Sequence, residues 1–279
     1  MSLMSKLLIS TVVATLTLSA SAKYESKDLL TYIKKSVVKN PQVKLKGIRI
    51  LESKTHKDLK GWDILLTTMT LEFNKKEIEV PETIFVKDGL VTGNLINQKT
   101  GMSYRNEIKP TVPETFYNEA HRLYGDEDAK HKMLIFSDPQ CPFCQDIIPN
   151  ILKEVKKYPK KVALYYYHLP LLRIHPVSGV LTKVMHIAQA KGNPDIIIKM
   201  YGLKINPKET NVDTILAEVK KQIGYEVKAE ELNTAALKYS MQADAKSANR
   251  LMVGGTPTIY IDGKIDKSRT GYKDLISFF

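Results

Sequence analysis

The chain of 279 residues holds only two cysteines, and they lie three positions apart in "SDPQCPFCQD", residues 137–146. What flanks them limits how this stretch can fold. Before the pair runs "KMLIFSD", residues 132–138, an apolar segment of strand length. After it, Phe143, Ile147, Ile148, Ile151, Leu152 and Val155 recur at helical spacing. The local order is therefore buried strand, short turn, helix, with both cysteines at the helix start. A cysteine in that position faces unpaired backbone N–H groups and the positive end of the helix dipole, which favour thiolate over thiol. Cys141 is the candidate nucleophile. Cys144, one turn further in and more buried, is placed to attack a mixed disulfide formed by Cys141.

Other uses of such a pair fit less well. Structural zinc takes four ligands, yet the chain has no second cysteine pair, and His168, His175 and His186 show no spacing that would close a site, so no metal is expected. Haem attachment needs histidine directly after the second cysteine, where Gln145 stands. A purely structural disulfide across so short a loop would stabilise little. Redox exchange remains, with no cofactor beyond a redox-active Cys141–Cys144 disulfide. His168 and His175 read as structural.

The first residues, "MSLMSKLLISTVVATLTLSASAKYE", combine one lysine, an apolar run from Leu7 to about Leu18, and Ala20-Ser21-Ala22. This is the pattern of a secretory signal peptide cleaved after Ala22, which places the mature protein outside the cytoplasm. The remainder is long enough for two domains of about 100 to 150 residues each, so no disulfide staples are needed for a core. The formal charge is +12, but only six of the 42 basic residues are arginine and they are scattered, which argues against a nucleic-acid partner.

Residues 43–109 contain "VKLKGIRILESK", "GWDILLTTMTLEF" and "TIFVKDGLVTGNLIN", β-branched and aromatic runs, the last broken by Lys87-Asp88-Gly89. They predict a small antiparallel sheet behind a helix at about 27–38. "KPTVPETFYNEAHRLYGDED", residues 109–128, predicts a helical connector at a domain boundary. "KVALYYYHLPL" predicts another strand, residues 176–250 are mainly helical with Asn211 as a cap and Gly224 as a stop, and "VGGTPTIYIDGKI" predicts a strand pair turning at Asp262-Gly263.

Strand, Cys-x-x-Cys at a helix start, a helical stretch and then "GGTPT" opening a strand resembles the thioredoxin fold of exported disulfide oxidoreductases. An ordinary strand-initiating proline would be trans. The resemblance implies instead that Pro257 is a cis-proline lying against the active-site pair, with Thr256 before it. Pro149, which would normally break a helix, matches a proline that thioredoxin-like proteins carry at this place. "FSDPQCPFC" with Thr256 and a mostly β N-terminal part resembles the DsbC and DsbG group, and Pro142-Phe143 resembles the Pro-aromatic insert of DsbG.

That resemblance implies an α+β / α/β chain: a signal peptide at 1–22, a small mostly β, cystatin-like dimerisation domain at 23–110, a helical linker at 111–128, and a thioredoxin-like catalytic domain at 129–279 with a helical insertion at about 176–250. It implies a periplasmic homodimer that acts on unfolded or misoxidised exported proteins as a disulfide isomerase or reductase. Its membrane redox partner would be a reductase of DsbD type or a reoxidising protein of DsbB type. A dimeric oxidase that introduces disulfides, and a chaperone-like binding protein with secondary redox activity, stand as alternatives. Two departures are notable: six residues before Cys141, where thioredoxin carries an acid, this chain has Ile135, and the second, structural disulfide that DsbC carries has no counterpart in a chain with two cysteines.

Overall fold

A computed structural model describes residues 27–277; the expected signal peptide lies outside the described residues. The described chain forms two compact units, one of residues 27–78 and 83–95, the other of 79–82 and 96–277.

The first unit is a four-stranded antiparallel sheet preceded by a short helix. Helix α1 (Lys27–Tyr32) runs into a π-helical turn at Ile33–Val37, burying Leu29 and Ile33. Strands β1 (Lys44–Lys54), β2 (Asp63–Phe73), β3 (Lys76–Lys87) and β4 (Leu90–Thr92) lie in sequence order. Two-residue turns join the last three. Asn74 and Lys75 have φ of 50° and 60°, Asp88 and Gly89 of 48° and 79°, so both turns place two consecutive residues in the left-handed region, as the twist of a tight hairpin requires. Residues Ile64 to Met69 of β2 are all buried.

The second unit is built around a five-stranded mixed sheet. After the short helix α2 (Tyr104–Glu107), its strands are β5 (Arg122–Tyr124), β6 (His131–Ser137), β7 (Val162–His168), β8 (Thr258–Ile261) and β9 (Lys264–Ile265), in the order β5-β7-β6-β8-β9. Only β6 and β7 are parallel, joined by helix α3 (Pro142–Val155) as the crossover. Their unbroken apolar runs follow from burial on both faces. Met133, Ile135, Leu164 and Tyr166 enter one core cluster, while Leu134, Phe136, Tyr165 and Tyr167 enter the other.

Between β7 and β8 stand helices α4 (Ser178–Ala190), α5 (Asp195–Met200), α6 (Val212–Ile223) and α7 (Ala235–Arg250), with α8 (Tyr272–Ile276) following β9. Asn211 accepts the Thr214 N–H at 2.9 Å to cap α6, and Gly224 ends it at φ 74°.

The helical connector expected at 111–128 is corrected. The segment holds one 3₁₀ turn, Glu114–Phe116, and then extends as β5. Pro110 and Pro113 supply no N–H for a helix ladder, Val112 and Phe116 are buried, and pairing with β7 satisfies the extended backbone, with the Tyr166 N–H donating to the His121 carbonyl at 2.8 Å. Gly125 closes β5 at φ 86°, and an added Cβ there would lie 2.1 Å from the Val162 carbonyl oxygen.

Candidate active site

Strand β6 delivers the chain to the site, and the turn after it is held by Asp138. This carboxylate is fully buried. It accepts the Gln140 N–H at 2.8 Å and the Ser178 hydroxyl at 2.6 Å on one oxygen, and the Leu171 N–H at 2.8 Å on the other, which also lies 3.0 Å from His175 Nδ1. One side chain thus ties the turn before the cysteines to the segment after β7. The Asp138 carbonyl in turn accepts the Cys141 N–H at 3.2 Å.

Cys141 is the N-cap of α3 and Pro142 its first helical residue, where a missing N–H costs nothing. The helix continues through Pro149 to Val155. Both cysteines are free thiols, 4 % and 0 % exposed, while Phe143 between them is 64 % exposed beneath the Arg269 guanidinium. From the far side of the site, the Thr256–Pro257 peptide is cis and the Thr256 carbonyl receives the Cys141 thiol at 3.3 Å. Cys141, Cys144 and Thr256 therefore converge, with Pro257 next to them across the cis bond, while Pro142 and Phe143 between the cysteines are both exposed.

Burial pushes the Cys144 thiol up to about 12, against the pull of the Asp138 backbone and the Ser137 and Thr256 hydroxyls. Ser137 belongs to a chain of hydroxyls in the core. Tyr201 donates to Ser137 at 2.6 Å and shares a short hydrogen bond with Tyr166. Burial holds both phenols above their usual range, so they remain protonated donors. At Ile135, where thioredoxin carries an acid, the side chain is apolar and buried. Polar contact with Cys144 comes instead from the Asp138 backbone and the Ser137 and Thr256 hydroxyls. Sequence reading passed over Ser137, Tyr166 and Tyr201. The signal available was a serine ending an otherwise apolar strand and a tyrosine run in a strand buried on both faces.

The sequence pattern of the thioredoxin family matches residues 117–278. The chain belongs to the thioredoxin family. With Cys141 and Cys144 at the head of α3, inside the matched residues, it is a thiol:disulfide oxidoreductase. A curated relative, the probable disulfide bond formation protein D of Bacillus cereus, is 24% identical over 169 residues, covering 57% of this chain and 78% of that protein. A solved structure of oxidised BdbD from Bacillus subtilis is 18% identical, with a TM-score of 0.47 over 61% of this chain and 93% of that one. ScsC from Proteus mirabilis, in a transitional conformation, is 21% identical with a TM-score of 0.44, over 58% of this chain and 74% of that one.

Elsewhere in the second unit, His168, His186 and Asp244 bring potential ligand atoms within 4.8 Å of one another. Their distance in sequence, across β7, α4 and α7, left no spacing signal.

Proposed function

We propose that the protein is an exported, periplasmic disulfide isomerase or reductase that works through a mixed disulfide on Cys141. The observation that carries this reading is the burial of Cys144, whose thiol is pushed up to about 12. The Cys141 thiolate attacks a substrate disulfide, forming a Cys141–substrate bond and releasing the other substrate sulfur as a thiolate. If Cys144 then loses its proton and attacks Cys141, the substrate leaves reduced and the pair becomes a disulfide. If another substrate thiolate attacks first, at the substrate sulfur, a new substrate disulfide forms and Cys141 is regenerated with no net redox change. A Cys144 held as thiol slows the first outcome and gives the second more time.

Substrates of this reading are unfolded or misoxidised exported proteins, bound in extended form past Thr256 and exposed Phe143. A membrane reductase of DsbD type would keep the pair reduced, and the N-terminal unit would join two copies into a homodimer. The second reading is an oxidase with a reoxidising partner of DsbB type, favoured by the name of the Bacillus cereus relative.

Reactivation of scrambled, fully oxidised ribonuclease, run beside oxidation of the reduced enzyme, separates the two. Recovery of the scrambled substrate that vanishes in Cys141→Ala supports isomerisation. Activity confined to the reduced substrate overturns it in favour of the oxidase.

A further inference from the structure

His168 is the residue that the redox site leaves unexplained. It ends β7, paired in register with Ser137 of β6, and is 2 % exposed, yet neither ring nitrogen has a partner at hydrogen-bond geometry, although the Gln189 side chain acts on the ring from nearby. A buried imidazole with two unsatisfied nitrogens carries a desolvation cost that native cores rarely leave unanswered, and an ion is one of the usual answers.

Its surroundings complete a donor set. The His186 ring lies 4.0 Å from the His168 ring, centroid to centroid, and its Nε2 is 3.2 Å from Asp244 Oδ2. Two ligands on a tetrahedral zinc, each bonded at about 2.0–2.1 Å, stand roughly 3.3 Å apart. Asp244 is fully buried and is fixed from behind: its Oδ2 accepts the His168 backbone N–H at 2.9 Å, and its Oδ1 lies 2.7 Å from His121 Nε2. The other His121 nitrogen faces Asn118 Oδ1 at 2.8 Å. A histidine holding the far oxygen of a carboxylate, itself anchored by an amide, is the outer support that metal ligands use to keep their aim. Pairing of Asp244 with His121 and His186 accounts for the carboxylate. It does not account for the His168 ring.

We propose that His168, His186 and Asp244 form a binding site for one divalent transition-metal ion of the zinc class, with His121 as the positioning residue behind Asp244. Two imidazoles and one carboxylate are the borderline donors that such ions take, with a fourth position left for water or an anion. An open cavity of about 620 Å³, lined by both histidines together with Lys183, Lys238, Met241 and Gln242, provides the entry path and room for that fourth ligand. The site is separate from Cys141 and Cys144, one strand away from Ser137.

The test uses the full chain carrying Cys141→Ala and Cys144→Ala, so that no thiolate competes, stripped of metal with a chelator and titrated with Zn²⁺ by calorimetry and thermal melting. The expected result is saturation at one equivalent with a rise in melting temperature. His121→Gln should weaken binding about 10–100-fold, and His168→Gln or His186→Gln should weaken it further. Absence of saturable binding, or undiminished binding in both ligand variants, overturns the proposal. Should the ligand variants fail to fold, the imidazole ¹H–¹⁵N signals of the protein with all histidines intact decide the matter. Zn²⁺ shifting the His168 and His186 rings supports the site, and Zn²⁺ shifting neither overturns it.

Discussion

The Tyr201 hydroxyl donates to Ser137 at 2.6 Å, and the Ser137 hydroxyl in turn contacts the buried Cys144 thiol. Tyr201→Phe keeps the ring and removes the donor, leaving Tyr166 and Ser137 to reorient in a dry core. A stability loss of about 1–3 kcal/mol is expected from denaturant unfolding. The Cys144-dependent release of a mixed disulfide should slow, while alkylation of Cys141 stays at its wild-type rate. An unchanged release rate would remove the hydroxyl chain from the mechanism.

Because the Cys144 thiol is pushed up to about 12, the group is protonated below that pH and its thiolate fraction rises about tenfold per pH unit through the accessible range. The rate of the Cys144 step should climb with that slope from pH 7 to pH 9, as single-turnover measurements would show. Iodoacetamide at pH 8 should modify Cys141 and leave Cys144 intact in the folded protein.

Asp138→Ala deletes the acceptor that Gln140, Leu171 and Ser178 share, and strands His175 beside them. A cost of roughly 3–5 kcal/mol is expected, since several buried donors lose their acceptor together at about 1–3 kcal/mol each. Hydrogen exchange should report faster opening at 169–178 than at β6.

Gly125→Ala combines a positive φ with a Cβ that would meet the Val162 carbonyl at 2.1 Å. Backbone must shift on one side or the other, so a loss of about 2–4 kcal/mol is expected in thermal or urea unfolding. Phe143→Ser is the contrasting case: at 64 % exposure it should change stability by no more than about 0.5 kcal/mol while raising KM for a peptide substrate.

Local signals carried much of the architecture. The apolar run ahead of Cys141 and the helical spacing behind it mark β6 and α3, and the Asp262-Gly263 turn lies between β8 and β9 with φ of 46° and 77°. At 111–128 the same approach predicted helix, because Glu114 and the flanking prolines look like a helix start while the pairing of β5 with β7 is a contact across some forty residues of sequence that no local pattern displays. The hydroxyl chain and the His168, His186 and Asp244 cluster were hidden for the same reason. Each joins side chains from separate elements, and their polar character becomes informative only once burial is known.

Trapping tests the central claim most directly. The Cys144→Ala protein, reduced and mixed with a disulfide-containing peptide, should accumulate a covalent adduct whose mass and peptide map place the peptide on Cys141. The Cys141→Ala protein, treated alike, should accumulate little or none. An adduct that forms as readily on Cys144 in the Cys141→Ala protein would contradict the assignment of Cys141 as nucleophile and Cys144 as the buried resolving thiol.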